Sequence, residues 1–313
     1  MSGFSSFFQE LFVLYALIGI GAAAKKASIL SSHADQALTQ LVLYITLPAL
    51  ILYSMDFPLT LALIGQLAWL LALSCFALGT ATVLARMWVQ WFPSPLERRG
   101  VTQGLIVFAN QGFLGYAICY ALLAETGIAY ATLFNLPYLI LIWTYGVYLV
   151  ARVKPSFSWR TIVLNPGVFA TLVGVFLLVI PMSWPTSVNH LLSTLGTTTV
   201  PLSMVLLGSL LGNLKFAHLS SLLRNPQLWG VATLRLLVLP LLLFLFLPFG
   251  LDPSVLLVAV LITGMPSAPT TSLFAQKYGA DATWGSVGVL ISTFFAFITI
   301  PLLYWLLTLF ITT

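Results

Sequence analysis

Close to the C-terminal end, a long apolar run is broken by Ile262-Thr-Gly-Met-Pro-Ser-Ala-Pro-Thr-Thr-Ser272, and this break limits the possible folds more than any other stretch. Proline lacks an N–H and clashes with the carbonyl four residues back, and glycine loses the most backbone entropy on ordering. A helix holding Gly264, Pro266 and Pro269 must therefore be interrupted. Inside a bilayer the freed backbone groups find no water, so such a break survives only where protein buries it or a hydrated cavity wets it. A single proline kink can be repaired by neighbouring Ser and Thr. Two prolines flanked by Ser267, Thr270, Thr271 and Ser272 favour the cavity.

The bilayer context follows from composition. Of the 313 residues, 60% are hydrophobic and 6% charged, and the mean hydropathy is +1.06. These values exclude a soluble domain with a polar shell and predict a polytopic membrane protein. The formal charge of +5 does not point to nucleic acid, because the basic residues fall in short loops between apolar segments. Cys75 and Cys119 lie within apolar runs without metal-ligand spacing, and His33, His190 and His218 are scattered, so neither a metal nor a cofactor is expected. The N-terminus lacks a basic region and a small-residue cleavage site, so the first span is expected to be retained.

A span needs about 20 apolar residues. Ten candidates run approximately over residues 7–24, 37–55, 60–86, 101–123, 128–151, 164–181, 190–212, 228–248, 253–277 and 283–310. Lys25, Lys26, Arg86, Arg98, Arg99, Arg152, Lys154, Arg160, Lys215, Arg224 and Lys277 all fall on one side of this arrangement, whereas the opposite loops carry Asp56, Glu125 and Asp252 and no Lys or Arg. The basic side is thus expected to be cytoplasmic, with both termini outward in a cytoplasmic (inner) membrane. The remaining cation, Arg235, lies about nine residues into span eight, where it must face protein or water. Its role is either structural, snorkelling to the interface or bonding to carbonyls freed by a broken helix, or functional, attracting an anion.

The halves repeat. Pro48 in span two matches Pro201 in span seven (201 − 48 = 153), and Pro93 matches Pro248 (248 − 93 = 155). Five spans per half force the second half to insert upside down, which predicts inverted repeats over residues 1–155 and 156–313 within one membrane domain. The same offset carries the span-nine break onto Val107-Phe-Ala-Asn-Gln-Gly-Phe-Leu-Gly115 in span four. The fold class expected is an all-α membrane protein of ten transmembrane helices, with spans four and nine broken. The second half of each broken span would begin near the midplane, and a helix N-terminus carries roughly +0.5 charge and unpaired N–H donors. Such a pair suits an anion, a carboxylate for example. The substrate-site candidates are Asn110, Gln111, Gly112, Pro266, Ser267, Pro269, Thr270 and Thr271. Asn110 and either Ser267 or Thr270 could instead cap the half-helices. Tyr44, Thr46, Pro48, Thr198, Thr199, Pro201 and Arg235 are candidates for lining the same cavity. None of the seven carboxylates lies at mid-span, so an embedded proton relay is not expected.

Met265-Pro-Ser-Ala268, Ala275-Gln-Lys-Tyr-Gly279-Ala-Asp281-Ala, Leu290-Ile-Ser-Thr293 and Thr299-Ile-Pro301-Leu together resemble the C-terminal signature of the auxin efflux carrier family. Its bacterial members include malate and malonate permeases, and its plant members are the PIN-type auxin exporters. The resemblance covers essentially the whole chain. It implies broken helices four and nine crossing at a central site, an elevator-like motion of a transport layer against a scaffold layer, a homodimer, and a carboxylate held near Asn110. Span four departs from the plant carriers by using Gln111-Gly112 in place of their crossover proline. Gly279 is expected to end span nine in a left-handed conformation, with Asp281 opening span ten.

A membrane enzyme is not expected: the chain has no HExxH, no GxSxG, no intramembrane Asp pair and no Ser beside a deep Lys or His. The function expected is secondary transport of a small organic anion through the lipid bilayer. The alternatives are a sodium-coupled symporter of the bile-acid type and a sensor built on the same fold.

Overall fold

The computed structural model describes residues 2–54, 56, 61–151, 166–180, 184–212 and 224–311. Among these the chain is helical, and its only β feature is a single antiparallel bridge, Ala109 to Ser267. The candidates Arg152, Lys154, Arg160 and Lys215 lie outside the described residues.

The first half contains α1 (Ser2–Lys26), α2 (Ser32–Leu41), α3 (Leu47–Ser54), α4 (Leu61–Trp91), α5 (Leu96–Val107), α6 (Tyr116–Leu141) and α7 (Val147–Ala151). The second contains α8 (Pro166–Val179), α9 (Thr186–Thr197), α10 (Thr199–Gly212), α11 (Pro226–Thr233), α12 (Leu239–Leu242), α13 (Pro253–Thr263), α14 (Pro269–Tyr278) and α15 (Ala282–Ile311). Among the described residues, six helical stretches are long and apolar enough to cross a membrane: Ser32–Tyr53, Gly65–Trp91, Ala129–Ala151, Thr186–Leu210, Pro226–Phe249 and Ala282–Phe310. Several such stretches in one chain are what a multi-pass membrane protein requires.

Proline explains several irregular turns. Pro48 and Pro240 each follow a π-helical turn, Val42–Thr46 and Leu234–Val238, in which the next N–H reaches five residues back, Leu47 to Val42 and Leu239 to Leu234. Widening the turn keeps the ring off the carbonyl it would otherwise strike. Residues 116–141 are helical throughout, yet a Cβ on Gly127 would stand 2.1 Å from the Cys119 carbonyl oxygen. A straight helix holds residues eight apart at about 12 Å. The chain therefore folds back between Cys119 and Gly127, giving an outgoing and a returning leg, and glycine leaves room for the close approach.

Packing partners divide the helices into two layers. One joins α1, α2, α3, α8, α9 and α10. Its seam is the α1–α10 crossing, where a Cβ on Gly21 would meet the Val205 carbonyl oxygen at 2.0 Å and one on Gly208 the Ile18 carbonyl oxygen at 2.0 Å. Reciprocal glycines let two backbones touch, the usual device where lipid leaves helices little hydrophobic drive to associate. The other layer joins α4, α5, α6, α11 and α13 to α15 around a core that includes Leu105, Ile106, Phe108, Leu261 and Trp284.

The ends of the helices sort by side. Lys25 pairs with Asp35 at 2.6 Å, and Ser209 donates to the same carboxylate. Arg98 pairs with Asp281 at 2.8 Å. At the opposite ends Gln66 lies within hydrogen-bond reach of both Asp252 and Tyr130. Gly279 ends α14 with φ 75°, and Asp281 accepts from the Trp284 N–H at the start of α15, as the sequence predicts.

Candidate functional site

The two polar breaks meet. The backbone leaves α5 at Phe108 in an extended conformation and resumes helical turns at Gln111, while the other break covers residues 264–268. Between them the Asn110 N–H donates to the Pro266 carbonyl at 2.6 Å and the Ala268 N–H to the Phe108 carbonyl at 2.8 Å. Two short extended segments thus satisfy each other as a minimal antiparallel pair, which is how unwound backbone survives at membrane depth. Further bonds close around the crossing. The Tyr138 hydroxyl donates to Ala109 O at 2.8 Å, Ser267 Oγ donates to Leu105 O at 2.7 Å, and the Ser267 N–H donates to Ser292 Oγ at 3.1 Å.

Among the described residues α5 and α9 begin after Pro95 and Pro185 without a side-chain cap, and four other starts are capped by side chains: Ser31 accepts from Ala34, Asn225 from Gln227, Asp252 from Ser254 and Asp281 from Trp284. The two starts at the crossing are not. Asn110 Oδ1 is buried without a hydrogen-bond partner, α14 has no side-chain cap, and the Ser267 hydroxyl is committed to Leu105. The N-terminal N–H groups and the positive dipole ends of both half-helices are therefore left unneutralised.

These two starts face a cavity of about 50 Å³, room for roughly four water molecules. Asn110, Gly112, Ala268 and Thr270 line it from the crossing, Tyr116, Asn135, Tyr138, Leu139, Ile142 and Trp143 from α6 and the turn after it, and Leu47, Leu50 and Ile51 from α3. No charged side chain is among the lining residues. Asn135 Oδ1, like that of Asn110, is buried and unpartnered. An amide can turn either its oxygen or its NH2 inward, so each Asn can present a donor to an anion.

The structure thus brings Asn110, Gly112 and Thr270 to one wall. Gln111 and Thr271 are buried beside them with unpartnered Oε1 and Oγ1, while Pro266 and Ser267 serve the crossing itself and Pro269 begins α14. The lining candidates from the other layer stand elsewhere. Thr198 is exposed and donates to Leu195 O, Pro201 is exposed, and Thr199 and Thr46 are buried outside the cavity. From span two, Leu47, Leu50 and Ile51 take the places expected of Tyr44, Thr46 and Pro48. Tyr44 lies farther along, under the Lys277 ammonium at 4.1 Å, in a second, polar recess of about 210 Å³ lined by Gln36, Thr39, Gln40 and Gln276. Arg235 does not reach the cavity: it is buried against carbonyls of Ile106, Val107 and Thr263.

Asn135 and Tyr138 were not among the sequence candidates. Their signal was present, since Asn135 is the only amide in residues 128–151 and sits two positions before Pro137.

A profile of the family described as membrane transport protein matches residues 6–157 and again 152–304. The chain belongs to this family. Its membrane transport proteins are the auxin efflux carrier-like proteins to which the C-terminal signature pointed. An uncharacterized transporter of Methanocaldococcus jannaschii is 25% identical over 94% of this chain and 97% of its own length. As a member of the membrane transport protein family, the chain is a transporter and not an enzyme.

Proposed function

We propose that this protein is a secondary transporter carrying a small organic anion, a carboxylate, across the cytoplasmic membrane. One observation carries the reading: two uncapped half-helix starts share a cavity with the side-chain amides of Asn110 and Asn135, whose oxygens are held by no partner and whose NH2 donors can turn inward. Together the two dipole ends supply about +1 charge, enough to offset a carboxylate without a basic side chain. The apolar wall of Leu47, Leu50 and Ile51 suits the hydrocarbon part of such a substrate. Asn110, Gln111, Gly112, Thr270 and Thr271 form the binding wall, with Asn135 and Tyr138 added to it.

The transport step is an elevator-like displacement of the layer containing the crossing against the layer containing α1, α3 and α10. Support comes from the packing division and from the position of the cavity, which has α3 on one side and the crossing on the other. The full architecture is ten spans in two inverted five-helix repeats, residues 1–155 and 156–313, with both termini outside and two copies forming a homodimer. The repeat reading is supported by two matches to one family profile and by the bridge itself, for which 267 − 109 = 158, close to the proline offsets.

Charge movement in proteoliposomes on a supported membrane, across a panel of mono- and dicarboxylates, tests the function. A current for one acid that disappears in Asn110→Ala is the expected result. A carboxylate current of unchanged size in that variant would remove the crossing from the binding site, and no response to any acid would remove the carboxylate.

A further inference from the structure

The C-terminal ends of the half-helices at the crossing, unlike their N-terminal counterparts, are neutralised. α5 ends at Val107 and α13 at Thr263, each inside the protein, each with carbonyls that lack an intrahelical partner and with roughly −0.5 charge. Arg235 reaches both. Its Nη1 donates to Ile106 O at 2.8 Å and to Val107 O at 3.2 Å, and its Nη2 donates to Thr263 O. The side chain is 2% exposed, and neither ion pair found among the described residues involves it. One guanidinium is thus balanced by two helix ends, about +1 against about −1.

Carbonyl oxygens converging from two broken helices are the donor set with which transporters of this build bind a coupling cation. We infer that Arg235 is a covalently carried substitute for such a cation, so that the crossing needs no sodium from solution and the carrier works without sodium coupling. The planar fork explains the choice of Arg, because two terminal nitrogens can serve two helix ends at once where an ammonium serves one point. The cation substitution stands on the crossing geometry alone; only the coupling consequence rests on the transporter reading.

The test compares purified parent, Arg235→Ala and Arg235→Lys in matched sodium, choline and guanidinium chlorides at low millimolar concentration. Thermal midpoints are read without any substrate. The parent is expected to melt at the same temperature in sodium and choline. Arg235→Ala is expected to melt several degrees lower in choline and to recover at least half of that loss in guanidinium, which can refill the carbonyl set. A folded Ala variant indifferent to guanidinium would overturn the inference, as would a parent stabilised by sodium. Should the Ala variant fail to fold, Arg235→Lys carries the test. It keeps the charge and is expected to stay sodium-insensitive, and its stabilisation by sodium over choline would overturn the inference. In proteoliposomes the parent's initial flux is expected to be equal in sodium and choline, and a sodium requirement would again overturn it. The melting result stands even if no carboxylate is carried, so the two readings fail separately.

Discussion

The Tyr138 hydroxyl donates to the Ala109 carbonyl across 2.8 Å, joining the returning leg of α6 to the one residue of span four that bridges to Ser267. Ala109 is fully buried and lies outside the cavity lining, so its carbonyl has no water to turn to. Removing one partner leaves the other with its full desolvation cost of about 1–3 kcal/mol. Tyr138→Phe is therefore expected to insert normally, to melt several degrees below the parent and to lower apparent substrate affinity, because Tyr138 also lines the cavity. Thermal midpoints in detergent and uptake kinetics check both effects. An unchanged midpoint would show that Ala109 is satisfied by other means.

Asn110 and Asn135 face the same cavity from different legs, each with an unpartnered Oδ1. Asn110→Ala is expected to abolish flux while leaving insertion and the size-exclusion profile intact, since its side chain caps nothing. Asn135→Ala is expected to raise KM more than it lowers the maximal rate. In substrate-induced thermal shifts, strictly additive losses across Asn110→Ala, Asn135→Ala and the double variant would contradict a shared ligand, whose two contacts should be coupled.

The reciprocal glycine contacts between α1 and α10 leave no room for a methyl group. Gly208→Val forces the Ile18 backbone away, and overpacking of this kind costs about 1–3 kcal/mol. A lower melting temperature without a change in substrate KM is expected, because this seam lies away from the cavity. A parallel shift in KM would show that the seam moves with the site.

Lys277 at the end of α14 sits over the Tyr44 ring at 4.1 Å and reaches its hydroxyl, linking the crossing layer to span two. A cation–π contact at an accessible site is worth about 0.5–1 kcal/mol, a roughly two- to fivefold change in a conformational equilibrium. Tyr44→Leu is expected to speed maleimide labelling of a cysteine placed at Gln40, in a background with Cys75 and Cys119 replaced by Ser, by about that two- to fivefold factor. Labelling at the parent rate would mean that the contact does not hold the layers together.

Membrane residence, the broken spans and their approximate limits are all legible in the residues themselves. These properties are local: Pro266 and Pro269 cannot continue a helix whatever surrounds them, and a run without charge seeks lipid in any fold. The meeting of residues 107–112 with residues 264–270 is legible for the same reason, as two helix-breaking stretches at equivalent places in two halves. Gly279 and Asp281 at the turn into α15 are likewise written in local turn chemistry.

Tertiary packing decided the rest. Residue type leaves both roles open for Arg235, and the carbonyls of Ile106, Val107 and Thr263, brought in from segments 128 and 28 residues away, choose between them. The same holds for Asn110, Ser267 and Thr270, each able by type to cap a helix, and for the Leu47, Leu50 and Ile51 face that displaced Thr46 and Pro48 from the cavity. Sequence by itself determined where the backbone must break and that the breaks lie in a membrane, because those outcomes depend on each residue and its near neighbours. Only the tertiary structure decided which freed groups are satisfied and which are left for a ligand, because that depends on helix rotation and on hydrogen bonds between residues far apart in the chain.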